Sequence, residues 1–208
     1  MEQVLDLYEQ QQDSKHPVVC FDERPCQLLD DVLMPTSLQP GKPIREDYEY
    51  SRQGTCVVLM AFEPRTGKRI AEVREHRTKK DFAQFMDKLS QEYPQAESIR
   101  LVLDNLNTHR PASFYTTFPA AKACALRQRF EMIYTPKHAS WLNMIEIEFS
   151  ALSRQCLLRR IKDRDIMCRE VEAWVKDRND RRVTIDWSFT TDRARNKFIN
   201  AYQKIINV

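Results

Sequence analysis

The sequence predicts an α/β fold with a mixed sheet, and three observations support this prediction. Short β-branched and apolar runs alternate with segments whose apolar residues recur at helical spacing. Two neighbouring runs are separated only by a turn signal, which indicates an antiparallel hairpin among strands that are otherwise joined by helices. Only 3 of the 208 residues are glycine, and they stand far apart. This spacing excludes the glycine-rich phosphate loops of dinucleotide-binding and NTP-binding folds.

The first half of the chain predicts a strand, a long loop and a hairpin. Residues 1–16 are polar and indicate a linker or a short helix, whereas the β-branched run Val18–Asp22 predicts a buried strand. Residues 24–53 contain several prolines and no sustained period, so we expect a long inserted loop, which is usually functional in a compact domain. Thr55–Phe62 and Ile70–Glu75 predict two strands joined by a turn that contains proline and glycine.

The second half alternates helices and strands. Thr78 is a predicted N-cap of a helix that reaches about Tyr93, where Pro94 follows. The later elements are a strand at Ile99–Leu103, helix over 112–129, a strand at Phe130–Tyr134, a helix from Asn143, and helices at 165–177 and 192–206. The five predicted strands and their flanking helices are the basis of the fold-class prediction.

Charge and composition limit the partners and the location. From Arg154 onward there are 14 Lys and Arg against 8 Asp and Glu, although the whole chain carries only +3. A basic C-terminal segment behind an acidic body is suited to a polyanionic partner. The longest apolar run, Cys56–Phe62, is far shorter than the roughly 20 residues that span a bilayer, so no membrane segment is expected. The six cysteines lack zinc-ligand spacing, which favours a reducing cytoplasm.

Carboxylates at the ends of buried strands are the main functional signal. Asp22 closes the first strand and Asp104 closes the strand at Ile99–Leu103. Hard carboxylate oxygens, few in number, are the ligands that Mg²⁺ and Mn²⁺ sites use when substrate phosphate and water fill the open positions. The alternative for each Asp is a helix cap or a turn after a strand.

Helix geometry does not decide which glutamate would be the third carboxylate. Glu146 and Glu148 lie on the same predicted helix, about 160° apart at 100° per residue, so only one of them can face the two aspartates. Glu146 also has a purely structural interpretation, because Asn143 with Glu three residues later is a capping-box pattern.

Three motifs resemble the catalytic domain of DDE transposases of the mariner superfamily, in its bacterial insertion-sequence branch. They are VVCFDE at 18–23, LVLDNLNTH at 101–109 and YTPKHASWLNMIEIEFSAL at 134–152. Supporting segments are YEYSRQGT at 48–55, HRTKKDFAQF at 76–85 and IDWSFTTDRARNKF at 185–198, so the resemblance runs from about residue 17 to 200. One departure is Met144, where the family usually has proline.

The resemblance implies a ribonuclease H-like fold with a mixed five-stranded sheet flanked by helices. It divides the chain into an N-terminal linker or short helix (1–16), a DDE catalytic domain (17–160) with the inserted loop 24–53, and a helical C-terminal extension (161–208).

The resemblance also implies the chemistry. Asp22, Asp104 and Glu146 would hold two Mg²⁺ or Mn²⁺ ions, which orient water or a DNA 3′-hydroxyl for in-line attack on a phosphodiester and stabilise the leaving oxygen. The family hydrolyses DNA strands at transposon ends and joins the freed 3′ ends to target DNA, typically at TA. No nucleotide cofactor or covalent enzyme intermediate is needed.

The expected partner is double-stranded DNA, both transposon ends and target. Candidate DNA contacts are Asn105, His109, Lys137, His138, Arg154, Arg159, Arg160 and Lys162. For the two histidines, surface positions in loops are the alternative, and the three tryptophans are expected in the core. We expect the 24–53 loop to mediate a homodimer on DNA, with folding over its own sheet as the alternative.

Full-length members of the family carry N-terminal helix-turn-helix modules, and the residues before the first strand are too few for one. The sequence is therefore expected to be an excised catalytic domain, a second reading frame joined by frameshifting, or a relic. The rival function is a catalytically inactive DNA-binding or assembly module derived from a transposase. A third is an RNA–DNA hybrid nuclease on the same fold.

Overall fold

A computed structural model of the chain describes residues 1–33, 40–41 and 47–199. Within these residues, five strands form one mixed sheet in the order β3-β2-β1-β4-β5. The strands are β1 (Val18–Asp31), β2 (Tyr50–Glu63), β3 (Lys68–Arg74), β4 (Ile99–Leu103) and β5 (Phe130–Tyr134). The helices are α1 (Glu2–Glu9), α2 (Lys79–Gln91), α3 (Ala112–Thr117), α4 (Ala120–Arg129), α5 (Ile145–Gln155), α6 (Arg164–Asp180) and α7 (Thr191–Lys197). The predicted fold class is confirmed.

The sheet is mixed because its two halves are connected differently. β1, β2 and β3 form an antiparallel meander, whereas β4 and β5 each arrive through helices and pair in parallel. β1 is the junction, with β2 on one side and β4 on the other. β4 ends beside the middle of β1, at the level of Asp22, and β1 then continues without β4; this determines where the site forms.

The expectation of an irregular loop over 24–53 is wrong at both of its ends. β1 continues to Asp31 and β2 begins at Tyr50, and the two pair as an antiparallel ribbon that projects beyond the sheet. Beyond Cys20, β1 pairs with no second strand on its other side among the described residues, although the Leu29 N–H donates to the Ile161 carbonyl at 2.9 Å. Pro25 therefore lies on an edge strand, where proline is tolerated. Residues 34–39 and 42–46 of the predicted loop lie outside the described residues.

A bulge interrupts the ribbon near its midpoint. Leu28 is opposite Gly54, but the next residue, Leu29, is opposite Arg52, so one residue of β2 is left over. Gly54 has φ +109°. This conformation is accessible to glycine and strained for other residues, which explains why a glycine occupies the bulge.

Each face of the sheet carries its own core. Alternation along β1 directs Val19 and Phe21 to the face covered by α2, α3 and α4, and Cys20 to the face covered by α1, α5 and α6. Thr78 caps α2 in a reciprocal capping box with Asp81, as its position predicts.

Three helical predictions need adjustment. The stretch 112–129 is two helices, because Pro119 starts α4 after a break at Phe118. α2 ends at Gln91, two residues earlier than expected. The last helix begins at Thr191, and residues 200–208 of the predicted stretch lie outside the described residues. No helix in the described ranges is both long enough and apolar enough to cross a membrane.

Candidate active site

The parallel pairing of β1 and β4 places Asp22 and Asp104 at the same level of the sheet. Cys20 is paired with Val102, and each aspartate comes two residues after its member of that pair. The two carboxylates therefore leave neighbouring strands at one level, where β4 ends and β1 continues into the ribbon.

Asn143 ties the start of α5 to this part of β1. Its side-chain amide donates a hydrogen bond to the carbonyl of Phe21 at 2.9 Å, directly before Asp22. Its backbone N–H donates to the carbonyl of Ser140 at 2.7 Å. The predicted capping box with Glu146 is therefore not formed, and no side chain caps α5. Asn143 instead holds the helix that carries Glu146 against β1.

The two glutamates of α5 have different surroundings. Glu148 is fully buried and contacts two guanidinium groups, with 2.5 Å from Oε2 to Arg69 Nε and 2.9 Å from Oε1 to Arg178 Nη2. Glu146 is exposed, and its charge contributes to the raised pKa of Asp22. The structure thus brings Glu146 toward the aspartates and commits Glu148 to the core.

Asp22 has a strongly perturbed pKa. Burial is the main cause that raises the pKa of Asp22 to about 7; repulsion from Asp104 and Glu146 also raises it, and a hydrogen bond from the Glu23 amide lowers it. A buried carboxylate that faces two other carboxylates is an arrangement that a divalent cation neutralises.

Each aspartate has one oxygen engaged by the protein and one left available. Asp22 Oδ1 accepts the backbone N–H of Glu23 at 2.7 Å. Asp104 Oδ1 accepts from His109 Nδ1 at 2.5 Å and from the Leu106 N–H at 3.2 Å. Neither Oδ2 atom accepts a hydrogen bond from any residue that the structure describes. These two oxygens can therefore act as single-oxygen ligands.

The donor set fits Mg²⁺ or Mn²⁺, which bind few carboxylates and retain water or substrate oxygens. Across the described ranges, no three His, Cys, Asp or Glu side chains are grouped closely enough to hold a metal ion. Asp22, Asp104 and Glu146 therefore fit by chemistry and by shared location, and their side chains must move together to share an ion.

His109 lies inside the protein, which corrects both expectations for it. Its ring is fully buried, so it neither contacts DNA nor lies on the surface. Its Nδ1 faces Asp104 and its Nε2 is 3.2 Å from Glu23 Oε1. Burial alone would lower the pKa of His109, but these two carboxylates outweigh it and raise the pKa to about 9. The hydrogen bond from His109 in turn lowers the pKa of Asp104.

Most of the other predicted DNA contacts are on the surface. Exposed side chains are Asn105, Lys137, His138, Arg154, Arg159 and Lys162. Arg159 forms an ion pair with Glu170 at 2.5 Å.

Arg160 is different, because it is half-buried and holds the far end of the ribbon, where β1 ends and β2 begins. It bonds to the Asp31 carboxylate at 2.5 Å and to the carbonyls of Asp47 and Glu49. Its guanidinium is thus committed to the protein itself. Of the tryptophans expected in the core, Trp174 is buried and Trp187 is partly buried, whereas Trp141 is 43% exposed.

Sequence reasoning missed Glu23, Arg69 and Arg178. Glu23 directly follows Asp22 and resembles a solvent-facing residue at a strand end, yet its side chain is only 1% exposed. Arg69 follows a turn and is nevertheless fully buried beside Glu148. The available signal was strand alternation, which places Glu23 on the same face as the buried Phe21.

A model of the DDE superfamily endonuclease family matches residues 17–168, whereas no curated protein matches the chain. Among solved structures, the Mos1 mariner paired end complex with Mn is similar with a TM-score of 0.58 and 15% identity, over 86% of this chain and 54% of that chain. The Mos1 strand transfer complex has a TM-score of 0.57 and 13% identity, over 87% of this chain and 53% of that chain. The pre-cleavage Mos1 transpososome has a TM-score of 0.53 and 14% identity, over 84% of this chain and 52% of that chain.

At these identities the structural likeness establishes the fold, which is the ribonuclease H-like fold expected from the resemblance. The chain spans about half the length of these relatives. The family match covers most of the chain and includes Asp22, Asp104 and Glu146. This chain belongs to the DDE superfamily endonuclease family.

Proposed function

We propose that the chain is the catalytic domain of a DDE transposase. It hydrolyses phosphodiesters at transposon ends and joins the freed 3′ ends to target DNA, at TA by family habit, in the bacterial cytoplasm. The observation that supports this proposal is that Asp22 and Asp104 lie at the same level of two parallel neighbouring strands, and that the charge of Glu146 contributes to the raised pKa of Asp22.

In this proposal Asp22, Asp104 and Glu146 hold two Mg²⁺ or Mn²⁺ ions. Divalent ions at this site supply Lewis acidity and neutralise charge on the scissile phosphate. The chain positions the carboxylates: the Glu23 amide fixes Asp22, the Leu106 amide fixes Asp104, and Asn143 fixes α5. Exposed basic side chains such as Lys137 and Lys162 hold the DNA backbone, which positions the duplex without reading its sequence.

The ribbon of β1 and β2 supports a homodimer on DNA. Near its tip, Leu33 is 62% exposed and Tyr48 is 84% exposed. Apolar side chains at the end of a projecting ribbon favour burial against a partner, here a second copy of the chain. The alternative remains that this segment folds over its own sheet.

Exchange of the exposed tip residues tests the dimer. The double variant Leu33→Asn/Tyr48→Asn is expected to remain monomeric on transposon-end DNA when its mass is measured by light scattering. Tyr115→Asn is the matched control, because Tyr115 is 47% exposed on α3, which packs against α2 and α4. An unchanged oligomeric state in the double variant, or after deletion of residues 30–45, contradicts the dimer proposal.

The rival proposal is an inactive DNA-binding or assembly module. One observation favours it: the carboxylates of the described residues are not grouped at metal-binding spacing. The two proposals differ in what the carboxylates do, because only the active enzyme needs them as metal ligands.

A Mn²⁺-dependent cleavage assay on candidate transposon-end duplexes separates these proposals. We expect wild-type chain, supplied with an N-terminal recognition module, to nick the duplex, and Asp104→Ala to abolish nicking. Asp192→Ala is the matched control, because that carboxylate is 90% exposed on α7. Full activity of Asp104→Ala assigns the chemistry elsewhere, and failure of the wild type to bind millimolar Mn²⁺ supports the inactive module. An RNA–DNA hybrid in the same assay tests the hybrid-nuclease alternative.

A further inference from the structure

A buried histidine and a buried glutamate lie directly behind Asp104. The His109 ring is fully enclosed, with Nδ1 at 2.5 Å from Asp104 Oδ1 and Nε2 at 3.2 Å from Glu23 Oε1. Both ring nitrogens face carboxylate oxygens, so the ring links a carboxylate of the site to one that has no assigned role.

Packing fixes the orientation of this ring. The centroid of the His109 ring is 5.3 Å from that of Phe21 and 5.0 Å from that of Phe82. The backbone is also held, because the His109 N–H donates to the Leu106 carbonyl at 2.9 Å and the Tyr134 hydroxyl donates to the His109 carbonyl at 2.8 Å. The ring therefore presents Nδ1 to Asp104 in one defined direction.

Glu23 has little reason to be buried except for this ring. Both of its carboxylate oxygens are inaccessible and form no aligned hydrogen bond with any described residue. In the same part of the chain, His109 is the cation at ion-pair distance from it. A buried carboxylate is costly unless it is compensated. The pairing with His109 is therefore its compensation, and it fixes the far side of the imidazole.

We propose that His109 is a positioning residue for Asp104 and that Glu23 holds His109 in place. The inference rests on the proposed function, since it takes Asp104 as a metal ligand. His109 and the Leu106 amide both bind Oδ1 of Asp104, and Oδ2 accepts no hydrogen bond from a described residue. A hydrogen-bonded outer partner of this kind fixes the orientation of a ligand carboxylate.

Mn²⁺ affinity of the chain, measured by electron paramagnetic resonance of the free ion, tests the proposal. His109→Phe preserves the aromatic packing and removes the donor, and we expect Mn²⁺ binding about 10- to 100-fold weaker, as for other outer partners of metal ligands. His109→Asn retains a donor near the position of Nδ1 and is expected to recover most of the affinity. Phe114→Leu is the matched control, since Phe114 stacks on Phe82 in the same core without touching a carboxylate.

Unchanged affinity in His109→Phe, or equal losses in the Phe and Asn variants, overturns the positioning role. His109→Phe leaves Glu23 buried and uncompensated, so a variant that does not fold is replaced by Glu23→Leu/His109→Phe, in which apolar side chains replace the ion pair.

Crystal structures of wild type and variant separate this proposal from the proposed function. If the wild type binds no Mn²⁺, the proposed function fails, and the positioning role is then judged from Asp104 alone. A changed or disordered Asp104 carboxylate in the variant supports the role. An Asp104 carboxylate with the same orientation in both structures overturns it.

Discussion

Glu146 and Glu148 lie two residues apart on α5, and exchanging each for glutamine is expected to have opposite effects. Glu148 is completely buried between Arg69 and Arg178, with four nitrogen–oxygen contacts of 2.5 to 3.2 Å. Glu148→Gln removes the negative charge and leaves two guanidinium groups buried beside a neutral amide. Glu146 is exposed and has no ion pair with any described residue, so Glu146→Gln removes no packing or pairing.

The size of the effect follows from burial. Removing one partner of a buried ion pair costs about 3–5 kcal/mol. With an unfolding entropy of about 2.1 cal/mol/K per residue, a chain of 208 residues loses about 7–11 °C in Tm for that free energy. Glu146→Gln is expected to change the free energy of unfolding by less than about 0.5 kcal/mol, or about 1 °C.

Thermal unfolding followed by circular dichroism measures the change in stability of each variant. Mn²⁺ titration of the folded variants measures the change in metal affinity. We expect Glu146→Gln to retain its Tm and lose metal affinity, and Glu148→Gln to lose Tm and retain affinity at temperatures where it is folded. A Tm of Glu148→Gln within about 2 °C of wild type refutes the argument from burial. Lost Mn²⁺ affinity in folded Glu148→Gln, with normal affinity in Glu146→Gln, reverses the roles of the two glutamates.

Three further predictions concern Asp22, Gly67 and Arg160. In chelator, the raised pKa of Asp22 makes the folded chain bind more protons than the unfolded chain between pH 3.8 and about 7. Stability should therefore fall by up to about 4 kcal/mol as pH rises through this window, and urea unfolding of Asp22→Asn should lack this fall. Gly67→Ala should lower Tm more than Gly54→Ala, because both have positive φ but only at Gly67 would a Cβ lie 2.9 Å from backbone atoms; equal losses would contradict the clash. Arg160→Ala should loosen the far end of the ribbon, around Asp31, and speed amide hydrogen exchange there; unchanged exchange would show that the Asp31 pair is dispensable.

Elements with strong local signals were predictable from the sequence. β4 and β5 have the predicted bounds because each is a continuous apolar or β-branched run in a parallel pair. α2 begins as predicted because Thr78 and Asp81 form a local cap. The ribbon at the end of β1 was missed, since its exposed residues lack an apolar period and Pro25 argues against a strand. Pairing with β2 overrides both signals.

The site was predictable where strand order determined it. Asp22 and Asp104 lie at the same level because β1 and β4 are parallel neighbours and each aspartate comes two residues after a paired residue. The choice between the glutamates of α5 did not follow from helix geometry, because it depends on Arg69, 79 residues away along the chain. His109 was misplaced for a similar reason: its position in a polar connection indicates a surface residue, and only the long-range contact with Glu23 explains its burial.

α6 and the residues after it complete the edge of the sheet at β3. β3 is an edge strand, and the Asn179 side chain pairs with both backbone groups of Arg69, at 2.9 Å each. The Val183 carbonyl accepts from Arg69 at 2.6 Å, and Arg178 supplies the second cation to Glu148. Removal of residues 161–208 would expose the edge of β3. It would also remove Arg178 and leave the buried Glu148 carboxylate paired with Arg69 alone. Because Glu148 lies on the helix that carries Glu146, Arg178 of α6 also stabilises the helix that carries the proposed third ligand.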